Sequence, residues 1–234
     1  TSRSSRRGLS LGLAVSTRRN KSATLAQPDL SENIEGFHQP RVGVGVEGRW
    51  VKGERSDTIS HLQIPVHIMS GWCAANCLPR LSPRQRLMSM IAASIADLDG
   101  LSILGGQQSY WNWHHRICHN LPFAILTSLV LAAVSGKTIR LFILYLALFH
   151  LHLDMDIFGS GPGWGIFYFW PFSNWMFDNT HLSWEFYSWQ NLTIAGVLLA
   201  WTIAIAVRAR RTPLEALMPD LDRQLVAVLR KPFA

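Results

Sequence analysis

Histidine and aspartate recur at several places in the middle of this 234-residue chain. His115 and His119 are four residues apart, and so are His152 and Asp156. Residues i and i+4 share one face of a helix, so each pair can offer two ligands to one ion. Imidazole and carboxylate together suit Zn²⁺, with Mn²⁺ or Fe²⁺ as alternatives, better than Ca²⁺, which prefers oxygen ligands alone. The sequence therefore predicts a site for a divalent metal.

More candidate ligands are present than one ion needs. The full set is His67, Asp97, Asp99, His114, His115, His119, His152 and Asp156. Since one tetrahedral ion takes three or four protein ligands, the surplus predicts either a second ion ~3.5–4 Å from the first or carboxylates that orient the imidazoles. His150 and Asp154 form an equivalent pair on a neighbouring helix face and compete with His152 and Asp156.

Each of these pieces also has a purely structural interpretation. A single HxxxH pattern can reflect two histidines that pack in a protein core without binding a metal. Asp97 and Asp99 could simply form a polar helix end. Acids are unfavourable at a helix C-terminus because of the helix dipole, which favours a cation beside them. Ionisable groups gathered at membrane depth are costly and are usually functional, so the combination favours a metal site.

Five apolar runs must position these side chains, and each is shorter than the ~20 residues of an ordinary membrane-spanning helix. They are 62–78, 87–98, 121–135, 141–153 and 192–207. The alternative is a soluble all-α protein with buried helices. Against it, Arg208, Arg210 and Arg211 follow the last run, and Trp and Tyr cluster near the ends of the runs, as at a bilayer interface. We predict an all-α integral membrane bundle of four to five short helices.

Charge is unevenly distributed along the chain. The formal net charge is +7, but residues 61–207 carry six basic and six acidic residues, so the excess lies in the tails. This pattern is typical of a membrane protein with basic flanks, and direct nucleic-acid binding is not expected. We predict a disordered basic tail over 1–60 (a transit-like segment or a start-site extension being alternatives), a membrane-embedded domain over 61–210, and a cytoplasmic amphipathic tail over 211–234.

The basic connections predict an orientation. If the five helices alternate, the connections after the first and third helices and the segment after the fifth lie on one side, and they carry nearly all the Lys and Arg of this region. The positive-inside rule makes that side cytoplasmic. The candidate ligands then all fall near the opposite, non-cytoplasmic face. The basic tail at 1–60 disagrees, but long tails are weak topology signals.

Four segments together resemble a known family. They are HIMSGW (67–72), ADLDGL (96–101), WHHRICHN (113–120) and HLDMDIFGSGPGW (152–164), the last followed by YFWPFS (168–173). In order and spacing they resemble the YdjM-like family of inner-membrane predicted metal-dependent hydrolases, over about residues 61–210. The resemblance implies that the metal site is formed by His67, Asp97, Asp99, His114, His119, His152 and Asp156.

The resemblance bears on two choices between candidate ligands. The glycine turn that follows Asp156 matches the family pattern and favours the 152/156 pair over 150/154. His115 stands where the family usually has Arg, and Cys118 where it usually has Thr. His114 and His115 therefore both remain candidate ligands.

These observations predict a membrane-bound metal-dependent hydrolase that acts at the membrane surface through a metal-activated water. Asp99 or Asp97 would be the general base, and Arg116 would bind a phosphate or carboxylate. The expected partners are membrane lipids and a lipid-linked or phosphoester substrate. A non-catalytic metal-binding membrane protein and a membrane di-iron oxygenase are the alternatives.

Overall fold

The computed structural model describes residues 63–231. The tail predicted over 1–60 lies outside this range. The described chain is helical and contains no β-strand, only an isolated bridge between Ile166 and Phe177. Its elements are α1 (Gln63–Cys77), α2 (Pro83–Ala92), a 3-10 segment (Ile95–Gly105), α3 (Gln107–Trp113), α4 (Leu121–Ser135), α5 (Ile139–Gly159), α6 (Trp189–Ala209) and α7 (Pro219–Arg230).

The predicted all-α membrane bundle is confirmed, with two unpredicted features. The five apolar runs become α1, α2 with the 3-10 segment, α4, α5 and α6, while the short α3 was not predicted and α7 lies in the predicted C-terminal tail. α5 and α6 are long and apolar enough to cross a membrane. α2 and the 3-10 segment, bent by 49° at their junction, would add a third span if they form one. α5 is longer than its apolar run because the helix continues through the polar residues up to Gly159.

Side-chain caps fix where the principal helices begin. The Ser82 side chain accepts from the backbone N–H of Gln85, and the Gln85 side chain accepts from the N–H of Ser82, which forms a capping box at α2. Asn120, Thr138 and Ser188 accept backbone N–H groups at the starts of α4, α5 and α6. These caps satisfy N–H groups that have no partner within the helix. They therefore fix the residue at which each helix begins, and with it the face of α5 on which His152 and Asp156 lie.

Close helix packing brings the first and second helices together. α1 packs on α2, α4 packs on α5, and α6 packs on α1. At Gly71 an added Cβ would lie 2.6 Å from the backbone oxygen of Ser89 and 2.8 Å from the Cβ of Ala93. Only glycine allows this approach. It places α1, which carries His67, directly against the end of α2.

The basic connections meet at one end of the bundle. The Arg86 guanidinium forms a buried ion pair with Glu215, which follows α6, and its Nη2 lies 2.9 Å from Oε2 of that residue. The Gln85 side-chain amide donates to the backbone oxygen of Ser135 at the end of α4. These contacts join the first turn of α2, the end of α4 and the segment after α6, as the alternating arrangement predicts. His152 lies roughly 20 Å along α5 from Ile139, at about 1.5 Å per residue. The candidate ligands on α5 are therefore far from the end of the bundle at which the basic connections lie.

Candidate metal centre

Asp156 lies at the centre of the cluster of candidate ligands, and its carboxylate faces four histidines. Its Oδ2 is 3.0 Å from Nε2 of His119, 3.1 Å from Nε2 of His152 and 3.7 Å from Nε2 of His115. Its Oδ1 is 3.3 Å from Nε2 of His67. All five side chains are buried. Residues from α1, α5 and the turn before α4 therefore meet at one carboxylate.

The other three candidates join the same network. Asp97 Oδ1 lies 3.7 Å from Nε2 of His152. Asp99 is hydrogen-bonded to both His114 and His119. The structure thus brings together all eight residues that the sequence predicted as ligands. Their binding of a metal stays a prediction.

Three groups of these residues have the arrangement of a metal site: one consists of Asp99, His114 and His119, and the other two share Asp156. His67, Asp97, His152 and Asp156 each offer one ligand atom, and these atoms lie within 4.8 Å of one another. His115 and His119 form a second such group with Asp156. Ligand atoms about 2.0–2.1 Å from a tetrahedral zinc lie roughly 3.3–3.4 Å apart. The separations of 3.0–3.7 Å around Asp156 bracket that value.

The hydrogen bonds of two histidines fix their tautomers. Nδ1 of His152 lies 2.9 Å from the backbone oxygen of Ala93, which can only accept. Nδ1 of His119 lies 2.8 Å from a carboxylate oxygen of Asp99. Each Nδ1 therefore donates. When the ring is neutral, its Nε2 carries the lone pair; this holds for His119 only after the loss of the proton that its Nε2 can share with Asp156. Both lone pairs face Asp156, which is the orientation that a metal ligand needs.

Several buried atoms of the cluster have no hydrogen-bond partner among the described residues. They include Nε2 of His67, Oδ1 of Asp156 and Oδ2 of Asp97. A buried polar atom without a partner costs about 1–3 kcal/mol. A divalent ion would satisfy nitrogen and oxygen lone pairs together, so the donor set fits such an ion.

Asp99 is placed differently from Asp97 and Asp156. Its Oδ1 accepts from Nδ1 of His114 at 2.7 Å, and its Oδ2 accepts from Nδ1 of His119 and from the backbone N–H of Cys118. Both oxygens are engaged. This is the arrangement of a carboxylate that orients a metal-binding histidine, one of the two alternatives that the surplus of ligands left open.

The two adjacent histidines differ in their contacts. His115 is buried, has its Nε2 near Asp156 and adopts the left-handed backbone conformation at φ +62°. Burial, with His114 and His119 nearby, lowers the pKa of His115 well below its usual range, so the ring is neutral. His114 instead stacks on Tyr110 at 4.5 Å between ring centroids and donates to Asp99. The geometry favours His115 as the ligand at Asp156.

His119 carries the opposite shift. Burial disfavours its charged form, but Asp99 and Asp156 outweigh burial and raise the pKa of His119 to about 10. In the absence of a metal this ring holds a proton between two carboxylates. Because metal ligands must be deprotonated, that proton would have to leave before Nε2 could bind an ion.

Two details of the predicted placement are wrong. His115 and His119 do not lie on a helix, because Asn120 caps α4 and the helix begins at Leu121. Asn120 followed by Pro122 in the first turn is a helix-start signal that could have revealed this. Asp97 and Asp99 do not end α2, which stops at Ala92; they lie in the following 3-10 segment. The placement of His152 and Asp156 on one helix is confirmed.

The competing pair on α5 does not share the site. Nδ1 of His150 donates to the backbone oxygen of Leu146, and its Nε2 accepts from the hydroxyl of Tyr168, both at 2.8 Å. Asp154 lines a neighbouring cavity instead of facing Asp156. The geometry therefore favours the 152/156 pair.

Aromatic residues that the sequence assigned to the bilayer interface also border the cluster. Trp111 stacks on Trp164 at 4.5 Å between ring centroids, and Trp164 lies 5.6 Å from the ring of His115. The guanidinium carbon of Arg116 lies 4.0 Å from the centroid of the Phe167 ring. A role for Arg116 in binding an anion stays a prediction.

Comparison with known proteins places the chain in a family. The family described as YdjM inner membrane protein matches residues 62–219. No curated protein and no solved structure gives a match. The matched range includes the whole cluster around Asp156 and both helices long enough to span a bilayer. The chain therefore belongs to the YdjM inner membrane protein family.

Proposed function

We propose that this protein is a membrane-bound hydrolase that uses a divalent metal, zinc before manganese or iron, held at Asp156. The observation that carries the proposal is the set of four imidazole Nε2 atoms around one buried carboxylate. They belong to His67, His115, His119 and His152. Asp97 completes the set. The two groups that share Asp156 would together hold one ion or two.

A divalent ion held by these residues would supply a water whose pKa is lowered from 15.7 to about 7, and it would polarise the bond under attack. This chain's own residues orient the ligands and provide the general base. Asp99 holds His119 in the tautomer with Nε2 facing the site. Asp97 has one oxygen without a hydrogen-bond partner, which suits it as the general base better than Asp99.

A catalytic site is favoured over a closed structural one by the space beside it. A structural site has packed surroundings, whereas His67 borders a cavity of about 540 Å³. We infer that the substrate is a phosphoester or a lipid-linked molecule that reaches the site from the membrane. We propose that the site faces the non-cytoplasmic side of the inner membrane, because the basic connections lie at the opposite end of the bundle.

Element analysis of the purified protein tests this proposal. We expect one or two zinc ions per chain in the wild type and less than a tenth of that in Asp156→Ala and His119→Ala. His181→Ala is the matched control, because His181 is exposed and outside the cluster. All variants should insert into the membrane normally. Unchanged zinc content in both cluster variants would refute the assignment.

Hydrolysis is tested separately on the same preparations. A panel of phosphoesters and phospholipids is incubated with zinc-loaded and chelator-treated protein. We expect release of phosphate or of a headgroup by the wild type and His181→Ala only, and recovery when zinc is restored. Two iron atoms and oxygen-dependent turnover would instead support the oxygenase alternative.

A further inference from the structure

A large cavity lies directly beside the cluster. It has a volume of about 540 Å³, and residues of α1, α5, α6 and the segment before α6 line it. This size lies within the range of about 300–1,000 Å³ that is typical of ligand sites. Its wall is mostly apolar, with Val66, Phe158, Trp184 and Leu192 among its residues. An occupant must therefore be largely hydrocarbon.

One residue belongs to both the cavity and the cluster. His67 lines the cavity, its Nε2 lies 3.3 Å from Oδ1 of Asp156, and its ring centroid is 4.0 Å from that of His152. A molecule in the cavity thus reaches the polar cluster at His67. Such a molecule needs an apolar part and a polar part joined to it.

The surroundings point to the membrane as the source of that molecule. α6 has a mean hydropathy of 2.0 over its most apolar window, and only 11% of that window is buried inside the protein. Its remaining surface faces lipid if α6 crosses the bilayer. Because α6 forms one wall of the cavity, a lipid chain has only to pass this helix to enter.

The wall is held in place by specific contacts. The side-chain amide of Asn191 donates to the backbone oxygens of Gly159 and Phe186, both at 2.8 Å, and its oxygen accepts from the indole N–H of Trp184. An added Cβ at Gly159 would lie 2.8 Å from Oδ1 of Asn191. The start of α6 is thereby fixed against the end of α5, so the cavity is preformed.

We propose that this cavity binds an acyl chain of a membrane phospholipid whose headgroup lies at the His67 edge of the cluster. The proposal rests on the proposed hydrolase function for the fate of the headgroup, but not for the binding of the chain. It names the substrate class as an acyl lipid and not a water-soluble phosphoester.

Photolabelling tests chain binding without requiring turnover. The full-length protein is reconstituted in phosphatidylglycerol vesicles that contain a trace of phosphatidic acid with a diazirine in one acyl chain. After illumination, labelled residues are mapped by mass spectrometry. We expect labelling concentrated at Phe158, Trp184 and Phe186, which line the cavity and are only partly exposed, with competition by unlabelled phosphatidic acid. Labelling spread evenly over exposed residues of α6 such as Leu192, Val197 and Leu199 would overturn the proposal.

A matched pair of variants sharpens the result. Ala195→Phe fills the cavity, which Ala195 lines, whereas Ala200→Phe adds the same ring to an exposed position outside its lining on the same helix. We expect at least a fivefold loss of cavity labelling in the first variant and none in the second. Equal labelling in both would contradict the assignment.

Zinc content separates this proposal from the function. If the wild type holds zinc and hydrolyses soluble phosphoesters while the cavity is not labelled, only the lipid proposal fails. If the cavity is labelled but the protein holds no metal, the hydrolase proposal fails and the lipid site stands.

Discussion

The Nε2 atoms of His119 and His152 lie 3.1 Å apart, and both rings are fully buried. Each ring uses its Nδ1 to donate to an acceptor, Asp99 for His119 and the Ala93 backbone for His152. Two neutral imidazoles would therefore point lone pairs at each other next to the Asp156 carboxylate. A cation between them removes this repulsion, whether a proton on His119 or a metal ion.

Asp99, which accepts from Nδ1 of His119, is expected to control the affinity for zinc and not the number of zinc ions bound per chain. Asp99→Asn keeps the shape of the side chain but loses the charge that holds Nδ1 of His119 as a donor. We expect zinc affinity to fall about 10–100-fold, as for other carboxylates that orient a metal-binding histidine, with full stoichiometry at saturating zinc. Competition with a fluorescent chelator measures this. Asp178→Asn, at an exposed position, is the control, and loss of stoichiometry in Asp99→Asn would instead make Asp99 a direct ligand.

The two neighbouring histidines should respond differently to substitution. Asn tolerates the left-handed conformation that His115 adopts, so His115→Asn removes the imidazole without straining the backbone. We expect a loss of affinity of about 100-fold or more for His115→Asn and about tenfold or less for His114→Asn, which removes the contacts with Asp99 and Tyr110 but no group that faces Asp156. Isothermal titration with zinc checks both. The reverse order of losses would assign the ligand to His114.

Helix contact at Gly71 should matter for both stability and the site. Gly71→Ala puts a Cβ 2.6 Å from the Ser89 backbone oxygen, which cannot move without shifting α2. Overpacking of this kind costs about 1–3 kcal/mol, so the thermal unfolding midpoint should fall. Zinc affinity should fall as well, because α1 carries His67. Gly196→Ala is the matched control, since nothing lies within 4 Å of its added Cβ; equal midpoints would contradict the packing argument.

The orientation of the site is tested by cysteine labelling. In a Cys77→Ser background the remaining Cys73 and Cys118 are buried, so a new cysteine reports alone. We expect Gln108→Cys, near the cluster end, to react with an impermeant maleimide from the non-cytoplasmic side only. Arg140→Cys, in the first turn of α5, should react from the cytoplasm only. The opposite pattern would place the site in the cytoplasm.

The convergence of the candidate ligands could be predicted from the sequence because it depends on the order of apolar runs. Alternation places His67, His119 and His152 near one level whatever the exact helix bounds. The resemblance to the family pattern favoured the pair of His152 and Asp156 over the pair of His150 and Asp154. The structure supports that choice through the bond from Tyr168 to His150.

Other features depend on tertiary contacts that no spacing reveals. Asp97 and Asp99 are the same residue type two positions apart, yet one faces His152 and the other faces His119. The bond from His152 to the Ala93 backbone joins residues 59 apart in the chain. The cavity beside His67 forms only when α6 packs on α1, so its presence could not be predicted from the apolar run itself.

The zinc K-edge X-ray absorption spectrum of the purified, zinc-loaded wild-type protein tests the central claim most directly. We predict a shell of nitrogen and oxygen ligands at about 2.0–2.2 Å, with the multiple scattering of several imidazoles and no sulfur. A sulfur shell at about 2.3 Å would assign the zinc to cysteine. A spectrum of hydrated zinc alone would show that the cluster around Asp156 binds no metal.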